Sequence, residues 1–212
     1  MALRRAGSFG AASVVELAAA AVDAGIHVSA AQARDALARY SAAEFLDDHW
    51  FWLPSDGRNR LKTLSCRILS VASPLDVATI RAGVHRTYSR SHAALVPPTR
   101  VIDAFYCAHP RFAVDAQGHI RPTGNLDYRT ELGMTDRTFV DVLLSSWAGV
   151  LDPVSFHDAC IARGMITPTF SLCTARSAVL DHPTPDIWCL RGTRVSPITA
   201  AALRHARAED NA

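Results

Sequence analysis

The chain has 212 residues, 49% of them apolar and 20% charged, with a net charge of +2. This is ordinary globular composition, which excludes wholesale disorder and collagen, coiled-coil or mucin-like chains. The longest apolar run, Leu17 to Val22, is far too short to span a bilayer, and no charged-then-apolar leader opens the chain. A cytoplasmic location, nucleoid-associated if DNA is the partner, and no membrane partner are therefore expected. The five cysteines (66, 107, 160, 173, 189) are odd in number and never spaced C-x-x-C, so reduced thiols are expected rather than disulfides or a zinc ribbon. Cut into thirds, the charge is uneven. Residues 1–57 carry four Arg against seven acids, residues 58–124 nine Arg and Lys62 against three, and residues 125–212 eight Arg against ten. The positive charge belongs to the middle third, which is information about partners more than fold.

In chain order, the first predicted element is a helix from Val14 to Ala24, with Ser13 and Glu16 at capping-box spacing and Gly25 at its far end. Ser29 and Gln32 repeat the capping box for a second helix, whose apolar stripe is Ala33, Ala36, Leu37 and Tyr40. The run FLDD-HWFW then reads as a hairpin. Residues 54–59 form a first linker. Residues 60–71 predict a helix with Leu61, Leu64, Ile68 and Val71 on one side; Pro74-Leu75 is an extended link, and Val77–Arg86 a second helix. Pro97-Pro98 precedes a third helix, striped by Val101, Ala104, Phe105 and Ala108, and FAVD-AQG-HI gives another hairpin. After a linker at residues 123–125, Thr135–Ser146 is a helix, residues 149–151 a link, and Asp152-Pro153 starts a helix that stops at Gly164. Thr167-Pro168 caps the next helix, a turn over Asp181–Pro185 precedes IWCL, and Ser196-Pro197 begins a last short helix.

One phrase thus recurs three times: a capped start, an amphipathic helix, a short hairpin. Residues 28–54, 96–123 and 166–192 are the copies, with Ser29–Trp52, Pro97–Ile120 and Thr167–Trp188 spanning 23, 23 and 21 positions. Helix, short strand, helix, helix, hairpin is the order of a winged helix, whose hairpin is the wing. The expected fold is mainly α with small β-hairpin wings (α+β), as tandem winged-helix modules. The predicted units are 1–57 (lacking a first helix), 58–124 (basic), 125–195, and a C-terminal helix and tail over 196–212.

The middle unit carries L-x-x-x-I-L, Pro74-Leu75, Pro97-Pro98 and H-P-x-F-x-V-D-x-x-G; the third carries R-G-M-x-x-x-T-F-S and W-x-L-R-G. In these motifs the chain resembles the HARE-type winged helix-turn-helix, and also the C-terminal winged-helix arrays that follow sigma-factor-like segments in some bacterial proteins. The middle wing departs from the pattern, closing on His119-Ile120-Arg121 without the aromatic-x-Leu. HARE-type modules are associated with RNA polymerase accessory subunits, chromatin proteins and restriction systems, so the resemblance implies nucleic-acid-linked work without catalysis.

On the middle unit's third helix, the face opposite its stripe shows Thr99, Arg100, Asp103 and Tyr106. Arg100, near the helix start, has the fork that spans guanine O6 and N7. Arg81, His85, Arg86 and Arg90 come from the second helix and following loop, within reach of a phosphate rail, and Arg111 and Arg121 sit at the hairpin ends. The competing reading is that these arginines solvate a surface or dock on an acidic neighbour. The acidic first hairpin (Glu44, Asp47, Asp48) would repel phosphate, so the first unit is expected to bind protein or support the array. Alternation buries one face of the first hairpin, so either Phe51 or the pair Trp50 and Trp52 is read as core rather than as a base-stacking platform; Trp147 and Trp188 are read as core too. No phosphate-cradling, dinucleotide or nucleophile-elbow motif is present, and His157/Cys160 and Cys107/His109 lack a second ligand pair. No enzyme, cofactor or metal is expected. Double-stranded DNA is the expected partner, with transcription regulation or polymerase association as the role; the alternative is a non-catalytic scaffold docking on polymerase, a defence nuclease or another protein.

Overall fold

The computed structural model describes Leu3 and residues 9–54, 59–88 and 96–210, the last few by backbone alone. Predicted features at residues 55–58 and 89–95 lie outside the described residues. The described residues form an α+β fold whose strands make three small antiparallel sheets. The first unit runs β1 (Ala12–Ser13), α1 (Val14–Val22), α2 (Ala30–Ala38), β2 (Glu44–Phe45) and β3 (Trp50–Trp52). The second runs α3 (Arg60–Leu69), β4 (Leu75–Asp76), α4 (Val77–Tyr88), α5 (Thr99–Ala108), β5 (Phe112–Val114) and β6 (His119–Pro122). In the third, a single turn α6 (Tyr128–Glu131) precedes α7 (Met134–Leu144), β7 (Val150–Leu151), α8 (Pro153–Ala162), α9 (Thr167–Thr174), β8 (Leu180–Thr184) and β9 (Ile187–Leu190); α10 (Pro197–Asp210) follows.

The strand order repeats: β1-β3-β2, β4-β6-β5, β7-β9-β8, with the last strand of each unit in the middle. Each leading strand is two residues long and pairs a buried residue of the central strand: Ala12 with Phe51, Leu75 with Ile120, Val150 with Cys189. The extended links predicted around residues 75 and 150 are therefore strands, and β1 is a strand that the sequence reading lacked. This register also corrects the copy alignment, because Phe51 and Cys189, not Trp52 and Trp188, match Ile120. From the residue capping each hairpin-side helix to that central position, Ser29–Phe51, Pro98–Ile120 and Ile166–Cys189 span 22, 22 and 23 positions.

At the end of each leading strand a small polar residue turns the chain into a helix. Ser13 Oγ accepts from Glu16 N, Asp76 Oδ1 from Thr79 N, and Asp152 Oδ1 from Val154 N and Ser155 N. Both predicted capping boxes are present, at Ser13–Glu16 and Ser29–Gln32. The predicted turn over Asp181–Pro185 is largely strand instead: β8 runs to Thr184, with a register irregularity between Asp181 and Thr184.

The first and third units keep apolar clusters of their own but also lend residues to that of the second. Phe9 and Trp52 of the first and Ala178 of the third belong to the apolar cluster built on Leu61, Ile80, Ile102, Phe105 and Ile120 of the second. Gly83 of α4 is packed tightly into the seam with the third unit: a Cβ there would stand 2.6 Å from the Ala178 carbonyl oxygen and 2.7 Å from Arg191 Nε. Among the described residues, no helix is long and apolar enough to cross a membrane.

Candidate nucleic-acid interface

Helix α5 buries Val101, Ile102, Phe105 and Tyr106. The stripe is turned by one residue from the predicted one, because Ile102 and Tyr106 offer far more apolar area than Ala104 and Ala108. This corrects Tyr106. It is fully buried, its hydroxyl 2.6 Å from Ser65 Oγ and its ring edge-on to Phe112 at 5.0 Å. Burial pushes its phenol well above the ordinary range, and it cannot touch DNA. The outward face of α5 holds Thr99, Arg100, Cys107 and Ala108, with Asp103 half-buried.

On α4 the buried residues are Val77, Ile80, Gly83 and Val84. Arg81 and His85, one turn apart, lie on the other side. Arg81 Nε donates to the Pro97 carbonyl at 2.9 Å, tying α4 to the approach of α5. Together with Thr99, Ala78 and Ala82 they line an open cleft of about 330 Å³. The structure thus brings Arg81, His85 and Thr99 together, with Arg100 next along the chain.

Arg86 goes elsewhere, a second correction. It projects into the seam with the third unit, where Nη2 and Nε donate to the Thr174 carbonyl at 2.8 and 3.3 Å. Its guanidinium lies 5.1 Å from the centre of the Trp188 ring, whose partner is the stacked His182 ring at 4.4 Å. Burial lowers its pKa, opposed by Asp181. Beside it Arg191, almost wholly buried, donates to the Ala178 and Leu180 carbonyls and pairs with Asp181 at 3.6 Å. Sequence had no means of separating Arg86 from Arg81, since the two differ only by which way α4 is rolled.

Arg100 reaches the first unit. Its Nε lies 3.2 Å from Asp47 Oδ2, while its side chain stays 71% exposed. Asp47 also accepts from His49 N and Trp50 N at 2.8 and 2.7 Å. Burial raises its pKa, but these hydrogen bonds and the Arg100 charge outweigh that and hold the carboxyl below its ordinary value. The acidic hairpin therefore stands beside the start of α5. Trp52 packs edge-on to Phe105 at 5.5 Å; Phe51 and Trp52 are both buried, so strict alternation does not choose between the hairpin's two faces. Trp147 departs from its expected core place: it sits 63% exposed on a 3-10 turn, followed by Ala148 at φ 55°.

Arg111 and Arg121 are exposed on the second hairpin, Arg121 opposite Ala113. Arg111 N donates to Nδ1 of His109, a ring that the sequence reading weighed only with Cys107 as an incomplete ligand pair. Burial among Trp52, Phe105 and Phe112, then the charges of Lys62 and Arg111, lower the His109 pKa. Lys62 and Arg111 thus both bring positive charge near His109. Arg90 lies outside the described residues.

Burial raises the thiol pKa of Cys66 and Cys107, that of Cys160 to about 11 and that of Cys189 to about 12. Among the described residues, no group of three His, Cys, Asp or Glu side chains is placed to hold a metal ion. Comparison with family models, curated proteins and solved structures finds nothing that matches this chain.

Proposed function

We propose that the chain is a non-catalytic DNA-binding protein of three tandem winged-helix units, acting as a transcriptional regulator or polymerase-associated factor. The observation that carries this reading is the convergence of Arg81, His85 and Thr99 on one cleft, with Arg100 exposed beside it, at the start of α5. In a helix-turn-helix the start of that helix is where side chains meet base edges, and cations on the preceding helix meet phosphates. The segment from 58 to 124 supplies the positive field.

The test is a salt titration of random-duplex binding. Each phosphate neutralised contributes roughly 0.9 to the slope of log K against log salt. Arg81→Ala should flatten it by about one unit for every duplex, whereas Arg100→Ala should lose preference at one base pair, about 1–3 kcal/mol. If both substitutions act alike on all sequences, α5 reads no bases. A second reading, the protein-docking scaffold, is favoured by Arg86 and Tyr106 being engaged within the molecule and Arg100 pairing with Asp47. Absence of any duplex retardation at low salt decides for it.

A further inference from the structure

We infer that the first unit carries a docking groove for an amphipathic helix of a partner protein, bulky on its apolar stripe and basic on its flanks. An apolar groove of about 320 Å³ runs between α1 and α2, lined by Leu17, Ala21, Ala33, Ala36, Leu37 and Tyr40 among others. The internal repeat says what belongs there. Counted from the capping residues, Leu17 and Ala21 occupy the places of Ile80 and Val84, four and eight positions past Ser13 and Asp76. Ala33, Ala36 and Leu37 occupy those of Ile102, Phe105 and Tyr106, counted from Ser29 and Pro98.

In the second unit those five residues are fully buried, and α3 lies over them through Leu61, Leu64 and Ile68, with Ser65 bonding Tyr106. In the third unit the places of Leu17 and Ala21 fall to Phe156 and Cys160, which lie fully buried in one cluster with Phe139, Val140 and Leu143 of α7. Leu3 follows the same register: it stands ten positions before Ser13, as Cys66 before Asp76 and Val142 before Asp152, and it touches the groove. Among the described residues that line the groove, Ile26 and Tyr40 stay exposed.

The occupant's chemistry follows from the differences. Val84, Ile102 and Phe105 are replaced by alanines, so the space left is larger than the one α3 fills and calls for bulky side chains. Residues 9–54 hold six acids against Arg34 and Arg39; with Asp48 paired to Arg34 at 3.3 Å and Asp47 to Arg100 at 3.2 Å, four acids remain against Arg39. α3 itself carries Arg60, Lys62 and Arg67 without an acid. A helix-in-groove complex of this kind is anchored at i, i+3, i+7 positions.

The probe is a fluorescein-labelled peptide of residues 58–71, titrated with the full chain and read by anisotropy. Saturable micromolar binding is expected, weakened about tenfold or more by Ala36→Asp, whose charge would be buried at the contact. Ala36 is exposed in the free chain, so the variant should melt as the wild type does; Ile26→Asp is the second variant should it not. Binding that ignores both substitutions, or no saturation at high micromolar chain, overturns the inference. So does sedimentation showing a wild-type dimer that Ala36→Asp dissolves, since a second copy would then be the occupant. Duplex binding in the same preparations is unaffected by these variants if the DNA reading holds, which keeps the two readings separable.

Discussion

One methyl group at Gly83 sets helix propensity against packing. In a mid-helix position alanine is worth about 1 kcal/mol over glycine. Here its Cβ would press on the Ala178 carbonyl and the Arg191 guanidinium, which two further hydrogen bonds hold in place. Gly83→Ala should therefore destabilise by about 1–3 kcal/mol in urea unfolding, and an equal or higher stability would mean that the seam is loose. His109 gives a pH signature. Its native pKa lies below the ordinary 6.5 because of burial and the Lys62 and Arg111 charges, so the unfolded chain takes up the proton first. Stability is fully present above pH 6.5 and falls as pH drops from there toward the native value, by at most about 1.4 kcal/mol per pH unit. His109→Gln should lack that slope between pH 7.5 and 5; an unchanged slope would assign it to other groups.

The β2–β3 hairpin and α5 meet at the Asp47–Arg100 pair, and there the two functional readings part. Asp47→Asn keeps an oxygen for His49 N and Trp50 N but removes the charge facing Arg100. For so exposed a pair the stability change should stay within about 1 kcal/mol. If α5 reads bases, the freed guanidinium should sharpen the preference at its base pair; an unchanged preference would leave Arg100 off the interface. At this scale the sequence was most legible where a cap fixes an element's start, as at Ser13, Ser29 and Asp152. It was least legible where an element's roll or pairing depends on a distant segment. The α5 stripe was misplaced because alanine and tyrosine each fit two environments, and only α3, through Ser65, decides for Tyr106. β1 was missed because two residues carry no alternation, and their strand character comes from Phe51 and Trp50. Of the residues singled out in the sequence, Arg81, His85 and Thr99 line one cleft, whereas Arg86 was claimed by a unit about ninety positions away.

The first and third units each lend buried residues, Trp52 and Ala178 among them, to the apolar cluster of the second, so the three should unfold together. Urea unfolding followed by tryptophan fluorescence and by far-UV circular dichroism should give superimposable single transitions. Trp52→Ala, which empties a site against Phe105 and His109, should lower stability by about 3–5 kcal/mol for the whole chain rather than for one unit; two separated transitions would contradict this. The placement of each unit's last strand in the middle of its sheet has a consequence for the chain as it leaves the ribosome. Ala12 waits for Phe51, Leu75 for Ile120, and Val150 for Cys189, so no sheet can close until the final strand of its unit has been made. Trp52 waits longer still, bare until Phe105 emerges. The nascent protein therefore carries an exposed tryptophan through the synthesis of most of the second unit, the interval in which a chaperone has something to hold.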